Sequence, residues 1–154
     1  MRIGAYLLGG IIVGHRLTEH FHSDELTRSA TAQRLQLDNI PPAPVLKNLH
    51  RLAETALEPV YVLTGNQFIK LRSGYRSKKV NRAVGGHPHS FHLDGLAVDF
   101  DPPPGMTHDA LQQLIAASDI PFDLVMEERA ADGGHWIHLQ IARAGEKPRR
   151  LVRD

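Results

Sequence analysis

Apolar residues recur along the chain at two different spacings, one typical of helices and the other typical of strands. Between residues 45 and 57 they return every three or four positions, which predicts a helix with one apolar face. The prolines at 41–42 stand just ahead of this segment, where a helix tolerates proline. A second helix is predicted over about 109–118, with Thr107 as its N-cap. Shorter helical stretches are predicted at 24–26, capped by Ser23, and at 29–38.

Five shorter segments have the composition and spacing of strands: 60–63, 68–72, 96–100, 122–126 and 136–142. Two of these segments alternate clearly. In residues 96–101 the large apolar side chains occupy the even positions, which leaves Asp99 on the opposite face. In residues 136–141 the aliphatic side chains occupy the odd positions, and His138 and Gln140 share the other face. If these two strands are neighbours, the Asp99 carboxylate and the His138 imidazole face one cleft.

The order of these elements predicts an α+β domain. Helices and strands do not alternate regularly along the chain, so we expect a mainly antiparallel sheet. Helices would pack on its aliphatic face, and the polar face would form a cleft. The length of 154 residues suits one domain, and the predicted division is an apolar N-terminal segment at 1–16, a single domain at 17–142 and a basic tail at 143–154.

The two ends of the chain differ from this domain in composition. Residues 4–14 are apolar, but eleven residues are too few to span a bilayer as a helix. We expect a buried strand there, with a short signal-peptide core as the alternative. The tail at 143–154 has five basic and two acidic residues. It is predicted to be a solvated end, with attachment to an anionic cell wall as the alternative.

The composition narrows the possible chemistry. Hydrophobic residues make up 42% and charged residues 23%, which is typical of a soluble globular domain and excludes a disordered chain, a collagen-like repeat and a coiled coil. A net charge of +1 argues against nucleic acid as a partner. The chain has no cysteine, which excludes disulfides, thiolate metal sites and a cysteine nucleophile. Ten histidines leave imidazole and carboxylate groups as ligands for a transition metal, and these suit zinc.

One segment combines such groups at a suggestive spacing. Residues 92–99 fit the pattern H-x-x-G-x-A-x-D, in which Gly95 permits a turn between His92 and Asp99. Such a turn lets two ligands seven residues apart approach the same ion. His138 would supply a third ligand from the polar face of its strand. Three protein ligands leave a fourth position open for water, which is typical of catalytic zinc sites.

Several motifs together resemble a known family: residues 73–77 (SGYRS), 81–86 (NRAVGG), Ser90-x-His92-x6-Asp99 and Trp136-x-His138. They are similar to the zinc D-Ala-D-Ala carboxypeptidases. More broadly, they resemble the LAS-type peptidoglycan peptidases, which include phage endolysins that cut L-alanyl-D-glutamate bonds and the D,D-dipeptidases of vancomycin resistance. The resemblance covers about residues 17–142, and its upstream part is similar to the phage and prophage branch.

The resemblance implies a role for each matching residue. His92, Asp99 and His138 would bind one zinc ion per chain, in the cleft on the polar face of a LAS-type fold. Arg76 would pair with a carboxylate or carbonyl of the substrate, which suits the planar guanidinium. Ser90 would hydrogen-bond the substrate or a ligand.

The general base is the point at which the sequence departs from the family pattern. Several relatives have a glutamate three residues before the last zinc histidine, and this chain has His135 there. The phage-like branch places a glutamate at the end of the preceding strand, which corresponds to Glu128. Strand alternation puts Glu127 and Glu128 on opposite faces, so only one can face the metal. Glu128 is the preferred base, with His135 as the second candidate and Glu127 as a competitor.

The resemblance therefore predicts a zinc metallopeptidase that hydrolyses peptidoglycan stem peptides or cross-links. It would act either as a D-Ala-D-Ala carboxypeptidase or as an endolysin-type endopeptidase. The alternative is a non-catalytic zinc module that binds cell wall or serves in a phage particle. We expect a monomer with no nucleic-acid partner and no stable membrane span. It would work in the bacterial periplasm or cell wall, or wait in the cytoplasm for phage-type release.

Overall fold

The structure is a computed structural model and describes residues 7–8, 11–12 and 14–153. Its strands are β1 (Leu7–Leu8), β2 (Ile11–Ile12), β3 (Lys70–Ser73), β4 (Ala97–Asp101), β5 (Phe122–Arg129), β6 (His135–Ile141) and β7 (Leu151–Arg153). Its α-helices are α1 (Ser23–Thr27), α2 (Ala30–Leu35), α3 (Ala43–Leu52), α4 (Glu58–Leu63), α5 (Lys78–Ala83) and α6 (His108–Ala117). A π-helical turn (Ala53–Leu57) joins α3 to α4, and a 3₁₀ helix (Phe91–Asp94) precedes β4.

The main sheet has five strands in the order β3-β4-β6-β5-β7. Its first three pairings are antiparallel, and only β7 runs parallel to its neighbour β5. The aliphatic side chains of β4 and β6 join one core with the buried faces of α3, α4 and α6. The α+β prediction with a mainly antiparallel sheet is therefore confirmed.

The predicted strand at 60–63 is wrong, because this segment is the helix α4. Valine and tyrosine favour strands in isolation, but here the helix begun by α3 continues through the π-helical turn. Pro59 lies near the start of α4 and lacks the N–H that a regular helix needs. The wider π turn just before it, in which the Glu58 N–H donates to the Ala53 carbonyl, accommodates the proline within a continuous helix.

Two predicted helix caps have different outcomes. The Thr107 hydroxyl accepts a hydrogen bond from the Ala110 N–H (3.1 Å) at the start of α6, as predicted. Ser23 is instead the first residue of α1, and His22 is its N-cap. The His22 N–H donates to the Glu25 carboxylate at 2.8 Å, so the acidic residue of the first turn supports this end of the helix.

Three residues of the basic tail belong to the sheet, whereas most of the described tail is exposed, as predicted for a solvated end. Leu151–Arg153 form β7, which pairs with β5 from Leu124 opposite Leu151. The Arg150 guanidinium donates to carbonyls in the last turn of α6 and just after it, those of Ala116, Ser118 and Ile120. These bonds satisfy carbonyls at a helix end and fix the tail against the domain.

The N-terminal segment forms a short antiparallel ladder, in which β1 pairs with β2. Residues 4–6, 9–10 and 13 of the apolar stretch at 4–14 lie outside the described part of the chain, and the burial predicted for this strand stays a prediction. No helix within the described residues is long and apolar enough to cross a membrane.

Candidate functional site

Three buried side chains meet on the polar face of the sheet. Asp99 of β4 stands directly opposite His138 of β6, and His92 comes from the 3₁₀ helix before β4. The Asp99 Oδ1 atom lies 3.2 Å from His92 Nε2 and 2.8 Å from His138 Nδ1. One ligand atom from each residue lies within 4.8 Å of the others, so the structure brings together the three residues predicted as metal ligands.

A main-chain carbonyl fixes the orientation of His92. Its Nδ1 lies 2.7 Å from the Gly74 carbonyl, so this nitrogen carries the proton and donates. The Nε2 lone pair is then directed at Asp99. Gly95 has a φ of +68°, which lets the chain turn from the 3₁₀ helix into β4.

Gly74 reaches this position because it has no side chain. A Cβ atom there would lie 2.3 Å from the Leu26 carbonyl oxygen. The neighbouring Tyr75 N–H donates to the same carbonyl at 2.7 Å, which ties the 73–77 segment to α1. The glycine therefore permits the close approach that delivers its own carbonyl to His92.

A chain of hydrogen bonds fixes the orientation of His138. Its Nε2 lies 3.3 Å from the Gln140 side-chain oxygen, and the Gln140 amide nitrogen donates to Asp123 at 2.9 Å. Asp123 is held in turn by the Arg149 guanidinium and the Arg149 N–H. Because Asp123 can only accept, it determines which end of the Gln140 amide faces His138. The His138 proton therefore lies on Nε2, and the Nδ1 lone pair faces Asp99.

The charges in this cluster favour an ionised carboxylate. Burial alone would raise the pKa of Asp99, but the charge and hydrogen bonds that His92 and His138 supply in their protonated forms outweigh it and hold the pKa well below its ordinary value. Burial also opposes the charged form of His138, and the Asp99 carboxylate overcomes this and raises its pKa.

The donor set fits a divalent cation. Two imidazole nitrogens with fixed tautomers and one carboxylate oxygen converge, with their lone pairs directed at one another. The buried His92 Nε2 has no hydrogen-bond partner within the described residues. A shared positive charge would satisfy all three atoms, and two imidazoles with one carboxylate match the three-ligand sets of catalytic zinc sites.

A cleft of about 460 Å³ opens beside these ligands, and Arg76 lies in its wall. The Arg76 Nη2 donates to Asp99 Oδ2 at 2.8 Å, and its Nε donates to the Ser73 hydroxyl at 2.9 Å. The cleft is also lined by Val80, Val84 and Trp136, so it combines a cationic group with apolar walls. This composition is suited to holding a peptide that carries a carboxylate.

The model of the family named peptidase M15 matches residues 19–140, which is most of the chain and includes the three candidate ligands described above. The chain belongs to the peptidase M15 family. No curated protein matches the chain closely enough to count as a relative.

Membership in this family indicates the general activity that the site supports. Peptidase M15 proteins are zinc-dependent metallopeptidases, and the buried His92, Asp99 and His138 cluster can bind such an ion. The expectation of a zinc peptidase fold is therefore confirmed at the level of the family.

The two neighbouring glutamates of this M15 chain lie on different faces of the sheet. Glu128 is opposite Trp136 on the face that carries the ligands, and its Oε2 accepts a 2.7 Å hydrogen bond from the Trp136 indole. Burial lowers the pKa of His138, but the Asp99 interactions and, to a smaller extent, the charge of Glu128 raise it. Glu127 is opposite Ile137 on the other face and lies 2.8 Å from His135 Nε2.

His135 is not brought to the ligand cluster. Besides its contact with Glu127, its ring stacks on His108 with centroids 3.6 Å apart. Ser90 lies closer to the ligands, but its hydroxyl accepts from the His92 N–H at 3.3 Å and caps the 3₁₀ helix. Ser90 thus helps to place His92, and its predicted contact with the substrate stays a prediction.

The sequence interpretation missed the support of the ligands in this M15 site. Gln140 lies two residues after His138 on the same strand face, so its position was a usable signal. Asp123 and Arg149 gave no local signal, because their pairing depends on how the tail packs against β5. The role of the Gly74 carbonyl also follows only from the tertiary contact with α1.

Proposed function

We propose that this M15 chain is a zinc-dependent peptidase that hydrolyses the stem peptides of peptidoglycan. The observation that carries the proposal is the convergence of His92, Asp99 and His138 beside a cleft that is lined by Asp99 and Arg76. Glu128 lies on the same face of the sheet, opposite Trp136. Peptidoglycan lies outside the cytoplasmic membrane, so the protein would act in the periplasm or cell wall, or after release from a lysing cell.

A zinc ion held by these ligands would polarise the scissile carbonyl and lower the pKa of water toward about 7. Glu128 acts as the general base. The indole of Trp136 holds its Oε2, which leaves Oε1 to accept a proton from the attacking water and then to donate it to the leaving amine. Glu127 and His135 do not perform this role, because they pair with each other on the opposite face.

Arg76 would bind the substrate. Its guanidinium already spans Ser73 and Asp99 through Nε and Nη2, so its position is set before the peptide arrives. Nη1 remains to donate to a substrate carboxylate or carbonyl. This preorganised donor would orient the scissile bond above the ligand cluster.

Purified muropeptides, digested and analysed by mass spectrometry, test this proposal together with zinc content from elemental analysis. We expect about one zinc per chain, products that disappear with a chelator, and a product mass that identifies the bond. Glu128→Gln should keep its zinc but lower kcat by about 10²- to 10⁴-fold, the usual contribution of a general base. Glu127→Gln is the matched control, because it makes the same change at the neighbouring position on the other face.

Two outcomes would contradict the proposal. Full activity in zinc-free protein would exclude metal-dependent hydrolysis. A protein that binds zinc and peptidoglycan but yields no product would support the non-catalytic module. Equal losses in Glu127→Gln and Glu128→Gln would reject Glu128 as the specific base while leaving the peptidase proposal in place.

A further inference from the structure

Two more arginines line the cleft that holds Arg76. They are Arg28, at the end of α1, and Arg72, in β3. Among the described residues that line the cleft, Asp99 is the only one with a carboxylate, and it is already bonded to Arg76 and belongs to the ligand cluster. The cleft wall therefore has more positive charge than a single substrate carboxylate needs.

Two contacts orient the Arg72 side chain on one side of the cleft. Its Nε donates to Asp101 at 2.6 Å, and its guanidinium lies over the Trp136 ring, 5.8 Å from the centroid. Asp101 anchors Arg72 without itself lining the cleft. Within the described residues the two terminal nitrogens of Arg72 have no hydrogen-bond partner, so they are available to a ligand. Fixing the guanidinium in advance lowers the entropy cost of binding.

Arg28 is held less tightly than Arg72. Its Nη2 lies 3.6 Å from the Asp24 carboxylate, and 65% of its side chain is exposed. An exposed pair at this distance contributes little, so Arg28 can leave Asp24 for a ligand at small cost. It would add charge to the subsite, whereas Arg72 would provide the fixed hydrogen-bond donors.

We propose that Arg72, assisted by Arg28, forms an anion subsite that binds a second carboxylate of the peptide substrate. The substrate would then be an acidic peptide, with one acidic group or carbonyl on Arg76 and another carboxylate on Arg72. This inference rests on the proposed function and specifies its substrate class. Stem peptides offer two such groups, the α-carboxylate of a γ-linked glutamate and the terminal carboxylate.

The single tryptophan of the chain makes this subsite directly measurable. Trp136 lines the cleft and lies under Arg72, so its fluorescence reports binding there. We would titrate the zinc-loaded protein with a synthetic stem peptide and with two analogues. In one analogue the glutamate α-carboxylate is a carboxamide, and in the other the terminal carboxylate is a carboxamide. Hydrolysis of each peptide would be followed in parallel.

We expect at least one of the two carboxamides to bind about tenfold more weakly than the acid, as expected for the loss of a charge-assisted hydrogen bond. Arg72→Gln should abolish most of that preference, and Arg28→Gln should reduce it by a smaller factor. Arg34→Gln is the matched control, because Arg34 is exposed and does not line the cleft. It should leave the preference for the acid unchanged.

The outcomes separate this inference from the proposed function. If all three peptides bind and are hydrolysed equally, the subsite is rejected and the peptidase remains. The same rejection follows if a preference exists but persists undiminished in Arg72→Gln. If none of the peptides binds or is hydrolysed, both the subsite and the proposed function are rejected.

Discussion

Asp99 and Asp123 are two buried aspartates that share several properties but differ in what they can bind. Each lies against an arginine, at 2.8 Å from Arg76 and 2.5 Å from Arg149 respectively. Both have a lowered pKa, and that of Asp123 is about 2 because the Arg149 hydrogen bonds dominate over burial. Burial and charge therefore do not distinguish a metal ligand from a structural carboxylate in this protein.

The difference lies in the protons of the neighbouring groups. Asp123 is surrounded by true donors, namely the Gln140 amide and the guanidinium and N–H of Arg149. When both imidazoles are neutral, the Oδ1 atom of Asp99 instead faces two nitrogens whose protons are directed away, toward the Gly74 carbonyl and Gln140. The protein therefore supplies donors to both oxygens of Asp123, whereas the Asp99 Oδ1 atom and the two imidazole lone pairs could together bind a cation. Hydrogen bonds beyond the ligands set this contrast.

The largest expected effect comes from removing the charge of Asp99. Asp99→Asn should reduce the zinc content from about one per chain to none, because a neutral amide replaces the anionic ligand of a divalent cation. Elemental analysis after dialysis would measure it, with circular dichroism as a check on folding. A folded Asp99→Asn protein that retains one zinc would show that Asp99 is not a ligand.

The sequence predicted the cluster around Asp99 better than the Asp123–Arg149 pair. Alternation in β4 and β6 was enough to place Asp99 and His138 on one face, since strand faces follow from local pattern alone. The Asp123–Arg149 pair joins residues far apart in the chain and depends on β7 pairing with β5. No local pattern encodes such a contact, so the sequence alone predicted a solvated tail.

A smaller effect is expected from replacing Asp123, the carboxylate that the protein itself pairs. Asp123→Asn can present a donor to Gln140 and so allow its amide to turn, which would weaken the hold on the His138 tautomer. We expect zinc to remain bound but with about 10- to 100-fold lower affinity, measured by competition with a chromogenic chelator. The Nε2 resonance of His138 in ¹⁵N spectra would show the tautomer directly.

A control separates this positioning role from general destabilisation. Asp119→Asn changes an exposed carboxylate close to the start of β5 and should leave zinc affinity unchanged. Unaltered zinc affinity and an unaltered His138 tautomer in folded Asp123→Asn would contradict the proposed role of the hydrogen bonds from Asp123 through Gln140 to His138. Asp123 would then be a structural residue only.

The smallest effect should appear in the acid stability of the zinc-free protein. The folded pKa of Asp123, about 2, is below the ordinary value of 3.8, so the ionised group stabilises the fold fully above pH 3.8. That stabilisation is lost as the pH falls from 3.8 through about 2. We expect denaturant unfolding to show Asp123→Asn less stable than the parent at pH 6, with the gap narrowing toward pH 2. Zinc must be removed first, because protonation of its ligands would release it over an overlapping range. A gap that stays constant from pH 6 to pH 2 would show that the Asp123 charge, held by Arg149, does not contribute to stability.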